Sequence, residues 1–263
     1  VSGGETLFAG RRVVITGITG WLGLSLRHRL TGGFHAYDST NLGHLSTLPK
    51  EPTVVFHLAF PRPGPRLVER AAAVSGLVEA FLDSIGAEVV FYPSSGAVIA
   101  PPPGREDYAT AKRADEARFS AWAKRSGGRL IMPHLYCLSG RFIPESYVFA
   151  TFVRAAVRAT EALRVTPIKT IRSYLSVDDL WEFVLRGDCP DRFDGSGNEI
   201  IELGDLARRV RSVLSVDVPI QRRSRSGPGA RYFGIPPCAW PTSLDDQIRQ
   251  TAKWMSSDLM VKP

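Results

Sequence analysis

Seven residues near the amino terminus, Gly17-Ile-Thr-Gly20-Trp-Leu-Gly23, constrain this chain more than any other segment. They follow Arg11 to Thr16 (RRVVIT), an apolar, β-branched run that predicts a short buried strand. They open onto LSLRHRL, whose leucines predict a helix stopped by Gly32-Gly33. A glycine turn between strand and helix is the context that a dinucleotide-binding fingerprint requires. Gly17 permits the tight turn, Gly20 lets the backbone approach a pyrophosphate, and Gly23 allows close packing of helix on sheet. The amides of Trp21 and Leu22 would then face the phosphates at the positive end of the helix. The spacing is G-x-x-G-x-x-G rather than G-x-G-x-x-G, so the turn alone also fits a glycine loop that merely packs tightly.

Asp38 adds weight to the nucleotide reading. It ends a second strand predicted over Phe34 to Tyr37, 21 residues beyond Gly17, where a carboxylate would bind the adenosine ribose hydroxyls. The same charge repels a 2′-phosphate, which favours NAD and leaves NADP open. Only fourteen residues separate Asp38 from the next strand, which begins at Thr53. A helix and a further strand barely fit there, so the adenine-side edge of the sheet is expected to be trimmed, with weaker cofactor binding as a consequence.

The remaining pattern alternates. Thr53 to Ala59 and Glu88 to Tyr92 predict buried strands, Leu130 to Met132 begins another, and Arg66 to Ser84 and Tyr108 to Arg125 predict helices. Strands alternating with helices imply a parallel sheet covered on both faces. Helices are also expected over Val148–Thr160, after the strand SYLSV (capped by Asp178 or Asp179), over Leu203–Leu214 and over Leu244–Trp254. The expected fold is therefore α/β, a Rossmann-type doubly wound parallel sheet with a small C-terminal substrate-binding lobe. The nucleotide domain would take residues 1–138, with 170–187 returning to it, and the lobe 139–169 and 188–263.

Tyr108-Ala-Thr-Ala-Lys112 places a phenol and an ammonium one helical turn apart on one face. A cation favours the phenolate and lowers a tyrosine pKa from its usual ~10. Such a tyrosine can exchange a proton with a hydroxyl or carbonyl while hydride moves to or from nicotinamide. Upstream, Ser94-Ser95-Gly96 follows the strand EVVFYP, at the carboxyl end where open α/β sheets bind ligands. A serine there can hold the reacting oxygen. YxxxK alone is common on surface helices, and only its order after a glycine turn and a strand-end serine singles it out.

TGITGWLG, VVFHLAF, YPSSGAV, YATAK and IRSYLSVDDL, in that order, resemble the extended short-chain dehydrogenase/reductase family of nucleotide-sugar epimerases, dehydratases and reductases. The resemblance covers nearly the whole chain, with SLDDQIRQTAKWM similar to the family's terminal helix. It implies a catalytic set of Ser95, Tyr108 and Lys112, with Lys112 also on the nicotinamide ribose. It implies a cofactor-lining segment at His57-Leu58-Ala59, acting chiefly through the backbone of Leu58 and Ala59. It implies a substrate-diphosphate arginine at Arg172 and a second in RRSRSGPGARY, best placed at Arg225, with Arg222 and Arg223 as other registers. Tyr136 falls where the family usually has a substrate asparagine. Ser95-Gly96-Ala97 replaces the Thr-Asp-Glu of the 4,6-dehydratases, and Ala97 stands where the C3/C5 epimerases keep a cysteine. The chemistry implied is therefore 4-epimerisation, 4-ketoreduction or alcohol oxidation, in a homodimer.

Composition excludes other classes. Net charge is +7 with only six lysines, and the arginines are spread along the chain without a nucleic-acid reading motif. A nucleotide-sugar small molecule is the expected partner, with no nucleic acid and no membrane. Three distant cysteines fit neither a disulfide framework nor a zinc site, so no metal and a cytoplasmic setting are expected. His35, His44, His134, Cys137, Trp181 and Trp254 are expected to be structural. Two readings compete with the sugar enzyme: a ketoreductase on a non-sugar metabolite, and a catalytically silent cofactor-sensing Rossmann protein.

Overall fold

A computed structural model describes residues 7–38, 40–159, 162–165, 169–222 and 230–261. The chain divides into two units, residues 1–135 with 181–194, and residues 136–180 with 195–263.

The first unit is built on β1 (Arg12–Thr16), α1 (Trp21–Arg29), β2 (His35–Tyr37), β3 (Thr53–His57), α2 (Leu67–Leu82), β4 (Ala87–Phe91), β5 (Ser94–Ser95), α3 (Glu106–Ser126), β6 (Arg129–Ile131) and β7 (His134–Leu135). The main sheet runs β2-β1-β3-β4-β6 with every pairing parallel. It is α/β and Rossmann-type, as the alternating pattern predicts. Val14, Ile15, Val54, Val55, Phe56, Val90 and Phe91 are wholly buried, which is why these strands read as continuous apolar runs rather than alternating ones. Strand order reverses between β1 and β3, so the carboxyl ends of those two strands form the switch point at which open sheets bind ligands.

The trimmed edge is present. Between Asp38 and β3 the described residues hold a single turn-rich element, the 3-10 helix Leu42–Thr47, and the three-residue β2 ends the sheet. Leu42 and Leu45 point inward and close the core beside Tyr37.

In the same core cluster, α3 contributes Phe119 and Trp122 and stops at Gly127, whose φ of +73 provides the left-handed cap that the Gly127-Gly128 pair predicts. Trp122 on α3 is wholly buried and its indole N–H donates to Asp83 Oδ1 at 2.9 Å. Trp181 is buried too, against the adjoining rings of Phe56 and Phe91, with its N–H on Ser25 Oγ at 2.8 Å.

The second unit contains β8 (Cys137–Ser139), α4 (Val148–Arg158), β9 (Leu163–Val165), β10 (Ile171–Ser176), the start of α5 (Val177–Leu185), the end of β11 (Asp194–Gly195), β12 (Ile200–Glu202), α6 (Leu203–Leu214), β13 (Ile220–Arg222), β14 (Arg231–Tyr232) and α7 (Leu244–Val261). β10 is its spine, pairing with β8 and β14 in parallel and β12 antiparallel. Helix α5 begins at Val177, so Asp178 and Asp179 lie in its first turn instead of capping it. Asp179 instead accepts hydrogen bonds from the Thr242 amide and hydroxyl. Among the described residues no helix is long and apolar enough to cross a membrane.

Removing the Trp122 side chain empties the core between α2 and α3 and leaves Asp83 without its donor. Trp122→Ala is expected to lower unfolding free energy by about 3–5 kcal/mol in urea titrations.

Candidate active site

The glycine turn is held by backbone. The amides of Gly17 and Ile18 both donate to Tyr37 O, at 2.8 and 3.3 Å, which ties the end of β1 to the end of β2. Gly17 has φ +74, and a Cβ there would lie 2.5 Å from the Ala59 amide nitrogen and 2.6 Å from the Leu58 carbonyl carbon. A Cβ on Gly23 would lie 2.3 Å from Gly17 O. Both glycines are required by close approach of backbone. Gly20 differs, since its Cβ would meet only Gly17 O at 3.2 Å. It is the N-cap of α1, brings no capping side chain, and no acidic residue occupies the helix's first turn. The amides of Trp21 and Leu22 begin the helix there. A diphosphate fits such a cradle, because charge and donors are supplied where side chains are excluded.

Asp38 stands at the end of β2. Its Oδ1 accepts from the Thr40 amide and hydroxyl at 2.8 and 2.6 Å, and its own amide donates to Asn41 Oδ1 at 2.7 Å. The Thr40 hydroxyl, then the Thr40 amide, hold the carboxyl below the usual aspartate range. The turn fixes a carboxylate at the position suited to a ribose diol.

Ser95, Tyr108 and Lys112 all belong to the first unit. Ser95 is 4% exposed and its Oγ accepts from the Ala97 amide at 3.2 Å, anchoring the turn after β5. Tyr108 and Lys112 lie in the first two turns of α3. Lys112 is 4% exposed. Its Nζ donates to Pro93 O at 2.8 Å and lies 4.2 Å from the Phe60 ring centroid and 4.6 Å from that of Tyr92. Phe60 also meets the Tyr108 ring edge-on at 5.4 Å. Burial pulls the Lys112 pKa down to about 8, against the upward pull of Asp115 and Glu116.

Beneath Lys112 runs a chain of buried polar side chains. Thr16 Oγ1 bonds His57 Nδ1 at 2.7 Å, His57 Nε2 bonds Ser75 Oγ at 3.3 Å, and Ser75 hydrogen-bonds Asp115. The Tyr92 hydroxyl donates to Asp115 Oδ2 at 2.9 Å. Burial raises the Asp115 pKa against those two hydrogen bonds. The chain joins the last residue before the glycine turn to the helix that carries Lys112. His57, wholly buried, is pushed down to about 3 by burial and by Lys112, so it is neutral and structural. A second group braces Ser94. Its hydroxyl donates to Glu116 Oε1, which also meets His134 Nε2 at 3.2 Å, and His134 Nδ1 lies 3.6 Å from Asp194. Among the described residues no cluster of His, Cys, Asp or Glu could hold a metal ion.

In the second unit, Tyr136 and Arg172 share a neighbour. The Tyr232 ring lies 5.1 Å from Tyr136 and under the Arg172 guanidinium at 5.2 Å. Arg172 Nη1 also lies 3.5 Å from Cys137 Sγ, and among the described residues it forms no ion pair. A guanidinium with an aromatic face and a thiol, and no carboxylate, suits an anionic ligand. Arg225 and Arg223 lie outside the described residues, as does the side chain of Arg222.

Phe60, Asp115 and Tyr232 were not among the residues expected at the site. Phe60 had a legible signal, since it directly follows the strand-end VVFHLA. Asp115 and Tyr232 had none, because their partners are distant in sequence.

No protein-family model matches the sequence, and no curated protein matches it. Solved structures do match. The UDP-N-acetylglucosamine 4-epimerase from Methanobrevibacter ruminantium, in complex with UDP-N-acetylmuramic acid, aligns with a TM-score of 0.79 at 16% identity, over 94% of this chain and 99% of that one. RMD from Pseudomonas aeruginosa, complexed with NADPH, aligns at 0.77 and 20% identity over 94% and 99%. The UDP-glucose 4-epimerase from Thermus thermophilus, in complex with NAD, aligns at 0.75 and 17% identity over 93% and 99%.

His57 offers a direct check on the buried chain. An unfolded imidazole takes its proton near 6.5, whereas the folded one stays neutral down to about 3. The unfolded state therefore binds more protons in that window, and His57 costs stability as pH falls, by about 1.4 kcal/mol per unit. Urea unfolding at pH 7 and pH 5 should show a smaller loss in His57→Asn than in the parent chain. At these identities the likeness establishes fold, and the chain has the Rossmann-type fold of solved UDP-sugar 4-epimerases.

Proposed function

We propose that the chain is an NAD-dependent enzyme of the extended short-chain dehydrogenase/reductase type, an epimerase or oxidoreductase acting at C4 of a nucleotide-activated sugar. The observation that carries this reading is the dry Lys112 ammonium one turn from Tyr108, in the same unit as a diphosphate cradle that excludes side chains. The cofactor, when bound, supplies hydride transfer.

Each residue then has a definite task. Gly17 makes the tight turn, Gly20 lets the backbone approach the diphosphate, and Gly23 packs the helix on the sheet. The amides of Trp21 and Leu22 donate to the diphosphate, and Asp38 accepts from the adenosine ribose hydroxyls. The backbone at Leu58 and Ala59 lines the same end of the sheet. Tyr108 takes a proton from the sugar hydroxyl, or returns one to the carbonyl oxygen, at its phenolic oxygen. Lys112 stabilises the phenolate by charge and donates to the nicotinamide ribose. Ser95 donates a hydrogen bond to the reacting oxygen and orients it. In the second unit, Arg172 pairs with the substrate diphosphate, and Tyr136 packs beside it on Tyr232 as a substrate contact. A homodimer is part of the proposal.

One observation favours a second reading, an NAD(P)H-dependent ketoreductase that exchanges its cofactor. The sheet ends at β2, followed by the Asp38 turn and a 3-10 helix, and a shortened edge beside Asp38 supports a cofactor that exchanges.

Mass spectrometry of small molecules released on denaturing the purified protein separates these readings. Retained NAD fits an epimerase, NADP that exchanges on dialysis fits the ketoreductase, and failure to retain or bind either dinucleotide removes the enzyme. Tyr108→Phe is expected to lower turnover of the responsive UDP-, GDP-, CDP- or dTDP-sugar by at least ~10²-fold, the scale of acid–base catalysis.

A further inference from the structure

We propose that Phe60 is the positioning residue of this relay: its ring, lodged against both the Tyr108 phenol and the Lys112 ammonium, keeps that ammonium out of water and beside the tyrosine. The inference rests on the proton chemistry proposed above and deepens it.

Lys112 has three N–H donors to place in a buried site. One goes to Pro93 O at 2.8 Å. On two further sides the ammonium meets ring faces, Phe60 at 4.2 Å and Tyr92 at 4.6 Å, whose electron-rich centres attract a cation. The two rings differ in standing. Tyr92 is 1% exposed and its hydroxyl is fixed to Asp115, so it is the inner wall of the cage. Phe60 is half-buried on the loop after β3 and is the outer wall. Its ring also meets that of Tyr108 edge-on at 5.4 Å. A side chain whose only task was to fill core would not be half-exposed and shared between these two heads.

The titratable groups acting on the ammonium are Asp115 and Glu116 from its own helix and the neutral His57 imidazole of β3, with the Tyr92 ring beneath it and Tyr108 one turn earlier along α3. The two carboxylates favour the charged lysine, burial disfavours it, and burial wins. Phe60 contributes to both sides of that balance, excluding water while offering a ring face.

Substitutions separate the two contributions. Phe60→Ala admits water and should raise the Lys112 pKa. Phe60→Leu keeps the site dry without a ring face and should lower it further. Phe60→Tyr keeps both properties and should leave it within a few tenths. The measurement is a carbon-13 NMR titration of protein labelled at lysine Cε. The chain has six lysines, so the Lys112 signal is identified by its loss in Lys112→Arg. The expected shifts are on the order of half to one pH unit. An unchanged midpoint in both Phe60→Ala and Phe60→Leu overturns the proposal, and if the alanine variant does not fold, Phe60→Leu decides alone. Once a turned-over sugar is found, Phe60→Leu should lose on the order of tenfold in kcat with KM little changed, because its effect lies in proton transfer. A larger KM with unchanged kcat would falsify the positioning role. Absence of turnover in the parent chain sinks the proposed function while the titration still decides Phe60.

Discussion

The first unit depends on backbone passing backbone at a distance no side chain can enter. Gly17 lies against Leu58 and Ala59, and Gly23 lies against Gly17 O, so β1, α1 and the end of β3 meet without a Cβ between them. That contact aims the first turn of α1 at the switch point of the sheet. It also brings the loop after β3, with Phe60, to the side of the sheet where β4 delivers Pro93 and Ser95. A larger residue at either glycine would displace the ends of β1 and β3 and the loops that follow them.

Around Lys112 the problem is of another kind, a charge without water. The ammonium is compensated in three ways: a carbonyl, two ring faces and the carboxylates of Asp115 and Glu116. The carboxylates are themselves secured, Asp115 by Tyr92 and Ser75, Glu116 by Ser94 and His134. Burying such a set is costly unless each member is satisfied. The near-complete pairing found here marks α3 as the element whose placement the unit guards most closely.

Much of the architecture was legible in the sequence because each strand of the parallel sheet is buried on both faces and therefore reads as a continuous apolar run. The helices expected over Leu203–Leu214 and Val148–Thr160 were visible by their period, the second ending at Arg158. The shortage of chain between Asp38 and Thr53 announced the missing edge, though not the 3-10 helix that fills the gap, because a short 3-10 turn leaves no periodic signal. At the candidate site, Gly17, Gly23, Tyr108 and Lys112 were legible from their order along the chain, a glycine turn between strand and helix followed by a strand-end serine and YxxxK, and not from either spacing by itself. The chain Thr16–His57–Ser75–Asp115 was not, since its members come from four different elements and pair only when those elements pack. Tyr232 was hidden for the same reason: it meets Arg172 only because β14 pairs with β10. Asp178 and Asp179 read as a cap because acidic residues suit that place, but the helix begins at Val177, ahead of both, and Asp179 serves Thr242 instead.

The sheet's early end at β2 has a bearing on how the chain lives among its own copies. A sheet border is a row of unpaired amides and carbonyls that invites another strand to dock, and long flat borders seed aggregates. Three residues, His35 to Tyr37, followed at once by the Asp38 turn and a tight helical coil, offer too short a template for that. The economy that thins the wall beside Asp38 thus also blunts this flank of the sheet against strand addition.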